Sequence, residues 1–109
     1  MSKIKATLES IATSRKNAEE RFETFISEFL KRNEQLLQAK ASPSLRFSIC
    51  LYPDKDKTMV KIQDHGHNVS STFATTLSFG RIVAIFEEAD CTVSLSKEIE
   101  NQADVSYWY

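Results

Sequence analysis

The stretch SKIKATLESIATSRKNAEERFETFISEFLKRNEQLLQAKA, residues 2–41, contains neither glycine nor proline. Its apolar residues fall at Ile4, Leu8, Ile11, Ala18, Phe22, Phe25, Phe29, Leu36 and Ala39, in steps of four and three that only Arg15 and Arg32 interrupt. A period near 3.5 places them on one side of a helix, as a seam that packs lengthwise against something. At about 1.5 Å per residue the helix would run roughly 55–60 Å, more than a compact domain of this size covers alone. The large side chains concentrate at Phe22, Phe25, Ile26, Phe29 and Leu30, so residues 22–37 are expected on the protein's own sheet. Residues 4–18 are expected to reach toward a partner chain. Ser10, Thr13 and Ser14 lower helix propensity, which makes a break near Ser14 the alternative. Pro43 stops the helix by Ser42.

Beyond the helix the period changes to two. Leu45, Phe47, Ile49 and Leu51 alternate with Arg46, Ser48, Cys50 and Tyr52, the pattern of a half-buried strand. A Pro-led polar turn, Pro53-Asp54-Lys55-Asp56-Lys57, follows, and Val60 and Ile62 then alternate with Lys61 and Gln63, which completes a hairpin. Residues 69–79 read two ways. One is a long strand with a tight turn at Gly80-Arg81. The other is a shorter strand over residues 69–73 followed by a helix near residues 75–89. Glu87, Glu88 and Asp90 at its C-terminus oppose the macrodipole and Gly80 weakens it, yet it supplies the second layer a sheet needs, and the helix is the reading preferred here. Residues 91–96 read as a strand and residues 97–104 as a polar connection. Residues 105–109 read as a short aromatic strand, at an edge or paired with the one before it. The expectation is an α+β fold in a single domain, residues 1–109: a long N-terminal helix over residues 1–41 packed on a mainly antiparallel sheet of four or five strands.

With 41% apolar and 27% charged residues and a formal net charge of −1, the chain has an ordinary globular composition and no overall pull toward nucleic acid or anionic lipid. The charge is nonetheless uneven. Residues 1–41 hold eight Lys or Arg against six Glu, whereas residues 81–109 hold Arg81 and Lys97 against six acids. A basic helix and an acidic C-terminal third can attract each other, within or between chains. Two cysteines, Cys50 and Cys91, make no disulfide framework. The longest apolar run, residues 82–86, cannot span a bilayer, and no secretory signal opens the chain. The expected setting is cytoplasmic, without membrane contact.

Chemistry is sparse. Asp64, His65 and His67 around Gly66 are the one metal-like cluster, and two exposed histidines flanking a turn explain it as well. Cys50 or Cys91 paired with His65 or His67 would make a nucleophile, but both cysteines lie in apolar or acidic runs that disfavour a thiolate. Two glycines fourteen residues apart exclude a glycine-rich phosphate loop. No cofactor, metal or catalytic residue is therefore expected, and the chain is read as a non-enzyme. Two binding classes remain. For a protein-binding module, a dimeric inhibitor, adaptor or immunity-type factor, the interface would comprise Ile4, Leu8, Ile11, Arg15, Ala18, Phe22 and Phe25. Arg15 would meet Glu19 or Glu28 of an antiparallel second copy, and Tyr107, Trp108 and Tyr109 would serve as partner-binding aromatics. For a nucleic-acid-associated regulator, the contacts would be Arg46, Tyr52, Lys55, Lys57 and Lys61. The interspersed glutamates of the long helix favour the first class.

Overall fold

A computed structural model describes residues 2–38, 44–66 and 69–108. The element order is α1 (Lys3–Arg32), α2 (Glu34–Gln38), β1 (Ser44–Asp54), β2 (Lys57–Asp64), β3 (Ser70–Ala74), α3 (Phe79–Glu88), β4 (Thr92–Leu95) and β5 (Gln102–Trp108). The five strands form one antiparallel sheet in the order β3-β2-β1-β5-β4. This is the expected α+β architecture. The aromatic C-terminal strand pairs with the one before it, β4, rather than lying at an edge: β5 also pairs with β1 on its other side, with Ala103 and Val105 buried, and the described edges are β3 and β4.

The long helix forms for the reasons its sequence gives. Ser2 caps it, its Oγ accepting from the Lys5 N–H at 3.4 Å. Thr7 and Thr13 return their hydroxyls to the carbonyls of Lys3 and Glu9, and α1 runs through Ser14 without a break. It ends sooner than the seam implies. Asn33 donates its side-chain amide to the Phe29 carbonyl at 2.8 Å, competing with the backbone ladder, and the chain restarts as the short α2. Residues 39–43, including Ala39 of the seam and Pro43, lie outside the described residues.

In β1, Phe47 and Ile49 are buried with Leu45 and Leu51 packed beside them, and in β2 the buried pair is Val60 and Ile62. All face the helices. Pro53 is tolerated because β1 there extends beyond its pairing with β5, which stops at Cys50↔Gln102, so no ladder partner asks for its missing N–H. The two-residue turn Lys55-Asp56 holds Lys55 at φ 59°.

Of the two readings of residues 69–90, the strand followed by a helix is the structure, though α3 starts at Phe79 behind an N-cap at Ser78, whose Oγ accepts from the Arg81 N–H at 3.2 Å. Its acidic end is managed locally. Glu88 accepts from Arg81 at 3.2 Å. Asp90 takes the left-handed conformation at φ 63°, and Cys91 N–H to Phe86 C=O (3.1 Å) with Asp90 N–H to Glu87 C=O (3.1 Å) closes a Schellman motif.

The core is one cluster between the sheet and the second half of α1, with α3 beside it. Phe22, Phe29, Ile49, Ile62, Ile82, Val60 and Val105 are under 2% exposed. The rings interlock: Phe22 meets Phe86 edge-on at 6.0 Å, Phe25 stacks on Phe73 at 4.9 Å, and Phe29 meets Phe47 edge-on at 6.4 Å. Each such side chain contributes about 1.5–3 kcal/mol by leaving water. The first half of α1 adds nothing to this cluster. It projects from the domain and gives the molecule its 58 × 27 × 22 Å shape.

Candidate interaction site

Every residue from Ser2 to Asn17 is exposed. Ile4, Leu8 and Ile11 keep 73%, 60% and 60% of their surface in water, although they continue the stripe that Phe22, Phe25 and Phe29 bury. Fifteen residues of helix are marginal alone in water. Nor do the charges help: Lys3 and Lys5 sit in a first turn that holds no acid, against the helix dipole. The arm has the sequence of a packed helix and, in the single chain, none of the packing.

The expected interface residues therefore divide. Ile4, Leu8, Ile11 and Arg15 lie on the arm, and Ala18 is half-buried at its root. Phe22 and Phe25, by contrast, belong to the chain's own core and are 0% and 9% exposed. They fell into the sequence-derived set because the stripe passes from arm to core without a change of period. Arg15 sits one turn before Glu19 and lowers the pKa of that carboxylate, but the principal partner of Glu19 is Arg81. Arg81 grips Glu19 through Nε and Nη2, the latter at 3.2 Å, and also Glu88, which ties α1 to α3. The Glu19 pKa is lowered first by that hydrogen bond, and the Arg81 pKa is raised by the same contact.

Beyond Arg81–Glu19 and Phe22–Phe86 the two helices leave a groove of about 420 Å³ open between them. One wall is Ile26 and Leu30 of α1, the other Ile85 and Ala89 at the end of α3, and the floor includes Leu45 and Tyr107. Glu23 stands on its rim and Cys91 lines its far side. Burial, reinforced by the charge of Asp90, pushes the Cys91 thiol up. A second hollow, lined by Leu30, Leu37 and Leu45, shares two residues with it. Reading the sequence alone gave no sign of this groove, because each lining residue reads as ordinary core within its own element.

The two terminal aromatics within the described residues point to opposite faces. Tyr107 pairs with Leu45 on the helix side and borders the groove. Trp108 lies on the uncovered face of the sheet with the Arg46 guanidinium 5.7 Å from its ring centre. Tyr109 lies outside the described residues. Of the nucleic-acid candidates, Arg46, Tyr52 and Lys61 share that uncovered face, whereas Lys55 and Lys57 are at the exposed hairpin tip. Asp104 is on the same face, 3.4 Å from His65.

The metal-like cluster does not converge. Asp64 is buried opposite Phe47 on the helix side, whereas His65 turns to Asp104 on the other, and His67 lies outside the described residues. Among the described residues no group of three His, Cys, Asp or Glu side chains is placed to hold a metal ion. Cys50 faces the open side and Cys91 the groove. The residue hydrogen-bonded to His65, Arg46, is four positions from Cys50 along β1, about 13 Å. Among the described residues no helix is long and apolar enough to cross a membrane. Comparison with family models, with curated proteins and with solved structures finds no match for the chain.

Proposed function

We propose that the chain is a non-enzymatic protein-binding module, a small dimeric inhibitor, adaptor or immunity-type factor that works by occupying a partner protein's surface. One observation carries this reading. Ile4, Leu8 and Ile11 form an apolar stripe on a helical arm that the chain itself leaves in water. Helices in water draw most of their stability from packing such a face, so the arm's sequence is explained by contact with another polypeptide. The test is affinity capture from a lysate of the native host with the wild-type chain and with Leu8→Asp, whose fold is checked by circular dichroism. A protein retained at near-stoichiometric level by the wild type and lost with the variant supports the reading. Equal retention by both removes the arm from it.

A second reading has its own observation. Arg46, Tyr52, Lys61 and Trp108 share the uncovered sheet face, a stacking platform with cations that suits single-stranded nucleic acid. Against it, Asp104 sits among them and the chain has no excess of positive charge, its formal net charge being −1. A mobility shift at low salt that vanishes with Arg46→Glu and Lys61→Glu would favour it.

A further inference from the structure

We infer that the arm's receptor is the groove between α1 and α3 of a second copy of this chain, entered reciprocally about a two-fold axis near Asn17. The inference rests on the protein-binding reading above and names the partner. Four features of the chain fit it.

The first is charge. Along α1, residues 3–17 carry Lys3, Lys5, Arg15 and Lys16 against the single acid Glu9. Residues 18–34 carry Glu19, Glu20, Glu23, Glu28 and Glu34 against Arg21, Lys31 and Arg32. Two arms laid against each other would oppose like charges. An arm laid antiparallel along the second half of its partner's helix sets a net charge of +3 against one of −2, with Lys3 beside Lys31 the one like pair and Arg15 and Lys16 beside Glu19 the principal unlike one. Glu87, Glu88 and Asp90, at the end of the helix that forms the other wall, add to the acidic surroundings.

The second is chemistry and position. The groove is apolar, and the arm's exposed stripe is apolar. With the axis at Asn17, antiparallel pairing sets Ile4 opposite Leu30, Leu8 opposite Ile26 and Ile11 opposite Glu23, and brings Arg15 and Lys16 beside Glu19. The bulky residues then meet the part of the groove where the helices stand apart. Where α1 and α3 touch at Phe22–Phe86 the arm presents the small side chains Ala12 and Thr13, and at Arg81–Glu19 it presents Arg15 to the carboxylate.

The third is length. The helix spans Lys3–Arg32, 30 residues, so an axis at Asn17 divides it into nearly equal halves and each arm covers the partner's packed half from end to end. The fourth is area. Each arm is about 22 Å long, and two arm-in-groove contacts would together bury on the order of 1,000–2,000 Å², the range of stable, specific interfaces. Because the same patches serve both chains, the contact closes on itself and yields a dimer rather than a filament.

The experiment combines mass and cross-linking on the full chain. Sedimentation equilibrium of the wild type should give twice the 12.4 kDa chain mass. Leu8→Asp and Leu30→Glu, one on each side of the contact, should each weaken the dimer by at least a hundredfold, since each is present twice. In a Cys50→Ser/Cys91→Ser background, Ile11→Cys with Glu23→Cys should oxidise to a covalent dimer, and neither substitution alone should. The two positions are about 18 Å apart on one rigid helix and cannot bridge within a chain. A monomeric wild type, a ladder of higher oligomers, or cross-linking by Ile11→Cys alone (arm against arm) would each overturn the inference. A monomer that still captures a foreign protein through Leu8 would leave the protein-binding reading standing, whereas loss of both capture and dimer would end both.

Discussion

Phe22 and Leu8 occupy the same stripe of the same helix, fourteen residues apart, and the structure assigns them opposite consequences. Phe22 is 0% exposed, wedged against Phe86 with ring centres 6.0 Å apart. Phe22→Ala should cost about 3–5 kcal/mol, combining lost transfer energy, the cavity and the edge-on ring contact. That is a large share of the roughly 5–15 kcal/mol that domains of this size possess. Leu8 is 60% exposed, and Leu8→Ala should change the intrinsic stability of the chain by less than about 0.5 kcal/mol, alanine being a good helix former at an exposed site. The assay is urea unfolding followed by circular dichroism at two protein concentrations well apart. The Phe22 effect should be the same at both, because it belongs to the fold. Any Leu8 effect should grow with concentration, because it belongs to association. A concentration-independent loss of 2 kcal/mol or more for Leu8→Ala would refute the division of α1 into arm and core. So would a Phe22→Ala cost under 1 kcal/mol.

Three further outcomes follow from local geometry. Gly80 lies in the first turn of α3 with nothing within 4 Å of where a Cβ would sit, so Gly80→Ala should stabilise the protein by about 0.5–1 kcal/mol, seen as a higher midpoint in thermal unfolding. The Glu19 carboxylate has its pKa lowered from an ordinary 4.5 by Arg81, so the stability it contributes is present above that value and is lost as the pH falls through its lower, folded-state value; Glu19→Gln should flatten this acid limb of the stability profile. Burial and Asp90 raise the Cys91 thiol pKa, so Cys91 should alkylate severalfold more slowly at pH 8 than a free cysteine, and Asp90→Asn should recover part of the rate, read by mass spectrometry of the modified peptide.

The sequence was most legible where one period ran alone. Alternation in β1 and β2 placed Phe47, Ile49, Val60 and Ile62 inside, and their registers in the hairpin follow from it. Residues 69–90 were harder because Val69, Ser71, Phe73, Thr75, Leu77 and Phe79 alternate while Leu77, Ile82 and Phe86 also satisfy a helical spacing. Leu77 is buried in both patterns but belongs to neither element. Asn33 was missed as a helix end because its effect is one side-chain hydrogen bond, invisible to an apolar period. The interior place of β5 was equally out of reach: which strand lies beside β1 is decided by pairing between residues as far apart as Ser44 and Trp108, and no local pattern carries that.

The site divides along the same line. The arm could be read because excess length is a property of one segment: a stripe of this period continuing past what a small domain can cover needs no tertiary information. The boundary between arm and core could not be read, since it depends on where the sheet ends beneath the helix, and so Phe22 and Phe25 were grouped with Leu8. Nor could the groove, which exists only because α1 and α3 meet at Arg81–Glu19 and stay apart at Leu30 and Ala89. An arm that buries nothing in its own chain, with cations at the end its own dipole disfavours, is a poor helix for a monomer. It is a good one for a chain whose acidic, apolar receptor is supplied by another molecule. The distribution of glutamates along α1, dense after Ala18 and sparse before it, makes a second copy of the same helix the receptor that satisfies both requirements at once.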